Sequence, residues 1–191
     1  STSRRQRQMC IRDRTFRHKM YEEYKGKRKP MPAELSEQVP VIRNLLQVMN
    51  IRIYAEEGIE ADDILGTMAK KAEQEGYLVS IVSGDRDLLQ LATDTILVRI
   101  PKTSRGKTVV EDYHTAQVIE KYSVTPSQII DLKGLMGDAS DNIPGVPGIG
   151  EKTATALIAQ YGSIENCYAH VDEIKPPRAS KNLKENYELA Q

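Results

Sequence analysis

The sequence predicts an α/β protein with a mainly parallel sheet flanked by helices, followed by a smaller helical subdomain built on a helix–hairpin–helix. Three observations predict it. Short β-branched runs, IRIY (51–54), LVSIVS (78–83) and TILVRI (95–100), alternate with apolar stripes at helical spacing, the β-α-β-α-β rhythm of a layered sheet. After Asp112 the pattern becomes wholly helical. GVPGIG (145–150) then separates two helices with Gly145, Gly148 and Gly150, a spacing that suits a tight reversal.

Taken in order, residues 15–30, TFRHKMYEEYKGKRKP, form a basic segment with interleaved aromatics that ends at Pro30 and Pro32. From Ala33 to Met49 the residues Leu35, Val39, Ile42, Leu45, Leu46 and Met49 trace a helical stripe. Pro40 falls inside it, where it either kinks the helix or marks its first turn. IRIY is expected as a strand, and 60–76 as a helix ending at Gly76. LVSIVS is a near-continuous apolar run, as in a parallel strand buried on both faces. A short helix at DLLQLA, the third strand at 95–100 and a hairpin turn at TSRGKT (103–108) follow. Helices are expected at 114–122, 126–136, on both sides of GVPGIG, at 164–169 and at 179–190.

A chain of 191 residues suits one compact domain or one with a helical appendage. No apolar run approaches the ~20 residues of a membrane span, and no signal-peptide core is present, so a membrane role is not expected. Cys10 and Cys167 lie far apart and form no metal-ligand spacing, which is the pattern of a reduced, cytoplasmic protein. The 27 bases balance the 27 acids, but unevenly. Residues 17–29 carry six Lys/Arg against two Glu, whereas 56–94 carry ten acids against three bases. That division is expected where one segment grips phosphates and another holds cations, although mixed solvated faces would also produce it.

The first fourteen residues, STSRRQRQMCIRDR, have five Arg, no Lys and no hydrophobic period. MCIRD back-translates to a string that matches a transposon-end adapter of sequencing libraries. Residues 1–14 are therefore expected to be a translated scar and are left out of the fold reading. A genomic copy encoding the same fourteen residues would refute this.

Three acidic clusters stand out. EADD places Glu60, Asp62 and Asp63 at a helix start, where acids also simply complement the macrodipole. SGDRD places Asp85 and Asp87 just past a strand's C-terminal end, on one face if the chain is still extended. A helix N-cap would account for one of the two. GDASDN adds Asp138 and Asp141, three apart and so on one face of a helix, or else part of an Asx-type turn before Pro144. Seven carboxylates gathered in one cleft would repel each other unless cations neutralised them. Oxygen ligands without His or Cys indicate Mg²⁺ or Mn²⁺. Two such ions ~3.5–4 Å apart are the usual apparatus for phosphodiester hydrolysis.

The glycine turn adds an anion site. Gly145, Gly148 and Gly150 let backbone N–H groups approach a phosphate, and the helix after Glu151 aims its positive end at the same anion. Lys152 and Thr153 are placed to add side-chain contacts, in a motif that grips DNA backbone without reading sequence. It is not a P-loop, since GVPGIGEKT lacks the required gap before GK[ST]. An ordinary αα-hairpin with glycine punctuation is the plainer alternative.

In that sequence and spacing, TFRHKMYEEYKGKR, GIEADDILGTMAKKAEQEGY, IVSGDRDLLQL and GLMGDASDNIPGVPGIGEKTA resemble the 5′-nuclease domain of bacterial DNA polymerase I, in the PIN-like flap endonuclease superfamily. The resemblance covers residues 15–191. It implies a nuclease core over 15–122, with an arch segment at 15–32, and a helix–hairpin–helix subdomain over 123–191. It implies that Glu60, Asp62, Asp63, Asp85, Asp87, Asp138 and Asp141 are metal ligands and that Arg17, Lys25 and Arg28 lie near the scissile phosphate, Arg17 and Lys25 in catalysis. Tyr24 matches a position that stacks on a nucleobase, a sequence-tolerant contact. It also implies K⁺ held by carbonyls of the hairpin turn.

The expected activity is structure-selective, metal-dependent 5′–3′ exonuclease and flap endonuclease action on DNA, by a monomer, in primer and flap removal, with a linked polymerase domain. Two family carboxylates and at least two strands have no counterpart here, so this chain by itself is expected to be impaired. The competing readings are a non-catalytic helix–hairpin–helix DNA-binding module, a PIN-type ribonuclease, which generally lacks the arch and the hairpin, and a stand-alone 5′-nuclease without polymerase.

Overall fold

The computed structural model describes residues 15–27, 29, 31–104 and 106–190. The proposed scar at 1–14 and Arg28 lie outside the described residues. The chain divides into two compact units, residues 1–64 with 140–142 and residues 65–139 with 143–191.

In the first unit, α1 (Phe16–Met20) starts at Thr15, whose backbone N–H donates to His18 Nδ1 in a capping box. Helix α2 (Ala33–Val48) runs through Pro40 without interruption, so Pro40 does not mark its first turn. Its apolar stripe does form, yet Leu35, Ile42 and Leu45 are exposed. The expected strand at 51–54 is absent: residues 51–56 carry no strand pairing. β-branched residues favour a pleated, half-buried surface, and without a partner ladder that preference makes no strand. Helix α3 (Ala61–Gln74) follows, and the division between the units falls within it.

The second unit holds a three-stranded sheet of β1 (Val79–Val82), β2 (Ile96–Ser104) and β3 (Lys107–Tyr113). β1 pairs with β2 in parallel and β2 with β3 antiparallel, so the sheet is mixed rather than mainly parallel. The reversal is forced by the short turn at 104–107, where Gly106 takes φ 76°; two residues can join only antiparallel strands. In β2, Ile96, Val98 and Ile100 alternate into the core. Contrary to the two-sided burial expected of LVSIVS, only Ile81 of β1 is buried, and Val82 is 65% exposed.

Between β1 and β2, residues Arg86–Leu91 form a 3₁₀ helix anchored by Leu88 and Leu89. After β3 come α4 (Thr115–Tyr122), a 3₁₀ turn at Pro126–Gln128 and α5 (Ile129–Met136). A two-residue ladder then pairs β4 (Gly137–Asp138) with β5 (Ile143–Pro144). Helices α6 (Glu151–Tyr161), α7 (Ile164–Ala169) and α8 (Pro177–Glu185) close the unit, with a 3₁₀ turn at Tyr187–Ala190. Leu89, Ile96, Val98, Val118, Leu135, Ile158 and Leu183 are the large, fully buried centre of its core. No helix among the described residues is long and apolar enough to cross a membrane.

Candidate active site

The first unit gathers Arg17, Tyr24, Lys25, Glu60, Asp63 and Asp141 into one hydrogen-bonded group. Arg17 meets Asp63 as a fork, Nη1 to Oδ2 at 2.6 Å and Nη2 to Oδ1 at 2.8 Å. The Asp63 carboxyl is held below its ordinary value, chiefly by that hydrogen bond. Lys25 donates from Nζ to Glu60 Oε2 at 2.6 Å and lies 3.9 Å from Asp141 Oδ2. Its backbone also donates to the Asp141 carbonyl at 2.8 Å, with Lys25 in the left-handed region at φ 55°. Burial drives the Glu60 carboxyl upward, but Lys25, Tyr24 and Thr15 outweigh it and hold Glu60 below its ordinary value. Asp62 stands in the first turn of α3, exposed.

Tyr24 is 6% exposed, and its hydroxyl donates to Glu60 Oε2 at 3.2 Å and Asp141 Oδ2 at 3.1 Å. Burial and the two carboxylates push the phenol well above its ordinary value, so it remains a donor. The His18 ring packs edge-on against it at 5.2 Å.

In the second unit, Asp85 is extended (φ −85°, ψ 120°) and caps the 3₁₀ helix, accepting from the Asp87 N–H at 2.9 Å. The N-cap reading thus describes Asp85. Asp87 is already helical, so strand alternation does not relate the pair. Its Oδ1 lies 2.8 Å from Lys133 Nζ, and the same ammonium donates to Asp138 Oδ2 at 2.7 Å. Partial burial raises the Asp87 carboxyl above its ordinary value, against the opposing pull of Lys133. Burial lowers Lys133, but Asp138 and Asp87 more than reverse it.

GDASDN is not helical. Gly137, at φ 76°, ends α5, and Asp138 enters β4 while Asp141 belongs to the first unit. Among the described residues no group of three or more His, Cys, Asp or Glu comes together with metal-binding geometry. Carboxylates gather only around positive charge, and here Arg17, Lys25 and Lys133 supply it.

The glycine turn is built from the core outward. Val146 and Ile149 are buried, and the Val146 N–H donates to the Leu135 carbonyl at 2.8 Å. A Cβ on Gly145 would lie 2.2 Å from Met136 C and 2.3 Å from Gly137 N. Gly148 requires φ 79°, and Asn182 Nδ2 donates to the Pro147 carbonyl at 2.7 Å. Gly150 is the N-cap of α6, with open space where a Cβ would be, followed by exposed Lys152 and half-buried Thr153. Sequence reasoning missed Lys133, whose position in the last turn of a helix five residues before Asp138 was the available signal. It also missed Val146 and Ile149, the apolar residues between the glycines.

The fold is thus an α/β core followed by a helical segment in which a glycine turn leads from α5 into α6. Residues 2–123 match the family model of the 5′-3′ exonuclease N-terminal resolvase-like domain, and residues 124–191 that of the 5′-3′ exonuclease C-terminal SAM fold. The chain belongs to the 5′-3′ exonuclease family. It is 54% identical over 176 residues to DNA polymerase I of Bacillus caldotenax, covering 92% of this chain and 20% of that protein. With DNA polymerase I of Bacillus subtilis it shares 55% over 171 residues, 90% of this chain and 19% of that one. It therefore spans about one fifth of these relatives' length.

Among solved structures, the 5′-exonuclease of bacteriophage T5 with bound divalent zinc ions matches at a TM-score of 0.75 and 27% identity, over 93% of this chain and 67% of that one. The Rad2 catalytic core in complex with DNA shares the fold at a TM-score of 0.53 and 21% identity, over 78% of this chain and 49% of that one.

Proposed function

We propose that this chain is the 5′-nuclease portion of a bacterial DNA polymerase I, a cytoplasmic, structure-selective 5′–3′ exonuclease and flap endonuclease that needs divalent metal. The observation that carries the reading is Lys133, one ammonium seated 2.8 Å from Asp87 and 2.7 Å from Asp138. A cation already stands where two carboxylates converge, and the donors are oxygens alone, which suits Mg²⁺ or Mn²⁺. Bound divalent ions in the T5 exonuclease support the same reading. The family models meet between residues 123 and 124, which supports a core over 15–122 and a hairpin subdomain over 123–191.

Asp85, Asp87 and Asp138 would hold metal in the second unit, and Glu60, Asp62, Asp63 and Asp141 in the first. When bound, two such ions activate water and neutralise charge on the scissile phosphate. The chain's own groups do the rest. Arg17 and Lys25 carry positive charge for the phosphate, and Tyr24 orients Glu60 and Asp141 and would present its ring to a base on turning outward. Gly145, Gly148, Gly150, Lys152 and Thr153 would hold duplex backbone, with K⁺ at the turn's carbonyls and Arg28 as a further phosphate contact. Hydrolysis then breaks the P–O3′ bond, leaving a 3′-hydroxyl and a 5′-phosphate. Its task would be the removal of primers and flaps, as a monomer linked to its polymerase, a linkage that the DNA polymerase I relatives support.

The test grafts this chain in place of the matching segment of the Bacillus subtilis relative and assays 5′-flap cleavage with Mg²⁺. Cleavage is expected, with loss of at least about 10³-fold on Asp85→Ala with Asp87→Ala, since both remove metal ligands. A graft that folds and binds flap DNA but never cuts it would return the chain to a non-catalytic DNA-binding module.

A further inference from the structure

Between Asp85 and Asp87 stands a residue to which neither the sequence motif nor the proposed chemistry gives a task. Arg86 is half-buried, and both Nη atoms of its guanidinium are engaged within the second unit. Nη1 donates to the Tyr122 hydroxyl at 2.7 Å and lies 3.5 Å from that of Tyr113, and Nη2 donates to Glu111 Oε2 at 3.0 Å. Glu111 is itself pinned: Oε2 also accepts from the Tyr113 hydroxyl at 2.7 Å and from Lys121 Nζ at 3.0 Å. The Lys121 ammonium lies over the rings of Tyr113 and Tyr122, 5.1 and 5.8 Å from their centroids. Hydrogen bonds from Tyr113, Lys121 and Arg86 hold the Glu111 carboxyl down at about 2, so it stays an anion throughout the working pH range. Strand β3 and helix α4 thus form a fixed socket, and one side chain of the 3₁₀ helix plugs into it.

The place of the plug matters. Upstream, the chain leaves β1 through Ser83 and Gly84, and a Cβ on Gly84 would meet nothing within 4 Å. The backbone there is held by the Ser83 N–H on the Arg99 carbonyl at 3.1 Å and the Asp85 N–H on Ser83 Oγ at 3.1 Å. Downstream, Leu88 and Leu89 enter the core. Arg86 is a side-chain anchor between these two points, beside the Asp87–Lys133 pair, and in sequence it stands directly between the two carboxylates.

We propose that Arg86 is a positioning residue. Its docking into the Glu111–Tyr113–Tyr122 socket fixes the backbone at which Asp85 and Asp87 present their oxygens to divalent metal. This rests on the proposed reading of Asp85 and Asp87 as ligands. Residues behind the ligands characteristically change metal affinity by about 10–100-fold when lost.

Charge alone predicts the opposite sign, which makes the idea testable. A guanidinium near a divalent-ion site repels the ion, so removing it should tighten binding; an anchor, once removed, should loosen it. Mn²⁺ is titrated into the full chain and read by electron paramagnetic resonance of the unbound ion, with folding checked by circular dichroism in EDTA. Arg86→Gln is expected to weaken Mn²⁺ binding about tenfold or more. Tyr122→Phe, which removes one hydrogen bond and keeps the ring, should weaken it about two- to tenfold. Because the Tyr122 hydroxyl bonds Arg86 and the ring is kept, the double variant should be no weaker than Arg86→Gln alone. Mn²⁺ binding by Arg86→Gln equal to or tighter than wild type overturns the proposal while the metal reading stands. If Arg86→Gln does not fold, Tyr122→Phe decides: unchanged affinity overturns the proposal. Asp87→Asn separates the two ideas, since wild-type and Asp87→Asn chains that bind Mn²⁺ alike would sink the metal reading and the proposal with it.

Discussion

Lys133 holds one ammonium between Asp87 and Asp138, at 2.8 and 2.7 Å, and Asp138 is the more deeply buried of the two carboxylates. Replacing Lys133 by the near-isosteric Met removes the ammonium that these two acids share. Charge-assisted hydrogen bonds are worth more than neutral ones, but Asp87 and Lys133 are about one-third exposed, so solvent screening reduces the loss to about 1–2 kcal/mol. In EDTA, Lys133→Met should therefore melt about 2–8 °C below wild type. Adding Mn²⁺ should narrow that gap, because the ion takes over the neutralisation. The Lys133 pKa is raised in the folded state, so its stabilisation is present below the ordinary lysine value and is lost as pH rises through the raised one. Differential scanning calorimetry with and without Mn²⁺ reads both effects; a gap that widens with Mn²⁺ would mean that the lysine and the metal do not share a place.

At the scale of elements, the glycine turn separates what folding needs from what a ligand would need. Gly145 is boxed in by backbone: its Cβ would lie 2.2 to 2.4 Å from Met136 C and O and Gly137 N, and none of these can yield like a side-chain tip. Gly145→Ala should cost about 3 kcal/mol or more and abolish the β4–β5 ladder. Gly150 meets nothing within 4 Å and sits at φ −91°, which any residue adopts. Gly150→Ala should melt within about 2 °C of wild type. If the turn holds a phosphate, it should nonetheless bind duplex DNA more weakly, because the methyl obstructs the backbone's approach. Melting curves with fluorescence anisotropy on one duplex measure both.

The same turn marks how far sequence reaches. The glycine spacing, the β2–β3 hairpin and the helices at 115–122 and 164–169 could be read directly, because each is governed by neighbours within a few residues. IRIY and Val82 could not, because strand formation and burial depend on partners that no local pattern encodes. Likewise the acids themselves were legible as EADD, SGDRD and GDASDN. Lys133, the cation between two of them, was not, since a lysine in a helix's last turn reads equally well as a dipole partner.

For the whole molecule, zero net charge poses a problem for a protein proposed to hold DNA. With ten acids against three bases between residues 56 and 94, and six bases against two acids between 17 and 29, the metal-free acidic segment carries more net charge to repel phosphates than the basic one does to attract them. Divalent ions bound at the carboxylates would reverse that sign locally. Ca²⁺ is a suitable probe, because it accepts oxygen ligands with looser geometry than Mg²⁺ and so loads acidic sites readily. At fixed ionic strength, a few millimolar Ca²⁺ should raise the affinity of this chain for a 5′-flap duplex by about tenfold, as two added charges near a phosphate are worth one to two kcal/mol at a partly exposed site. Asp85→Asn with Asp87→Asn should lose much of that increment. A protein that only grips the backbone through its hairpin would respond in the opposite direction. Divalent ions compete with its lysines for the phosphates, and its affinity would fall. The sign of the Ca²⁺ effect in an anisotropy titration therefore tells a metal-loaded nuclease site from a basic surface with acids elsewhere, and it does so without requiring this chain to cut.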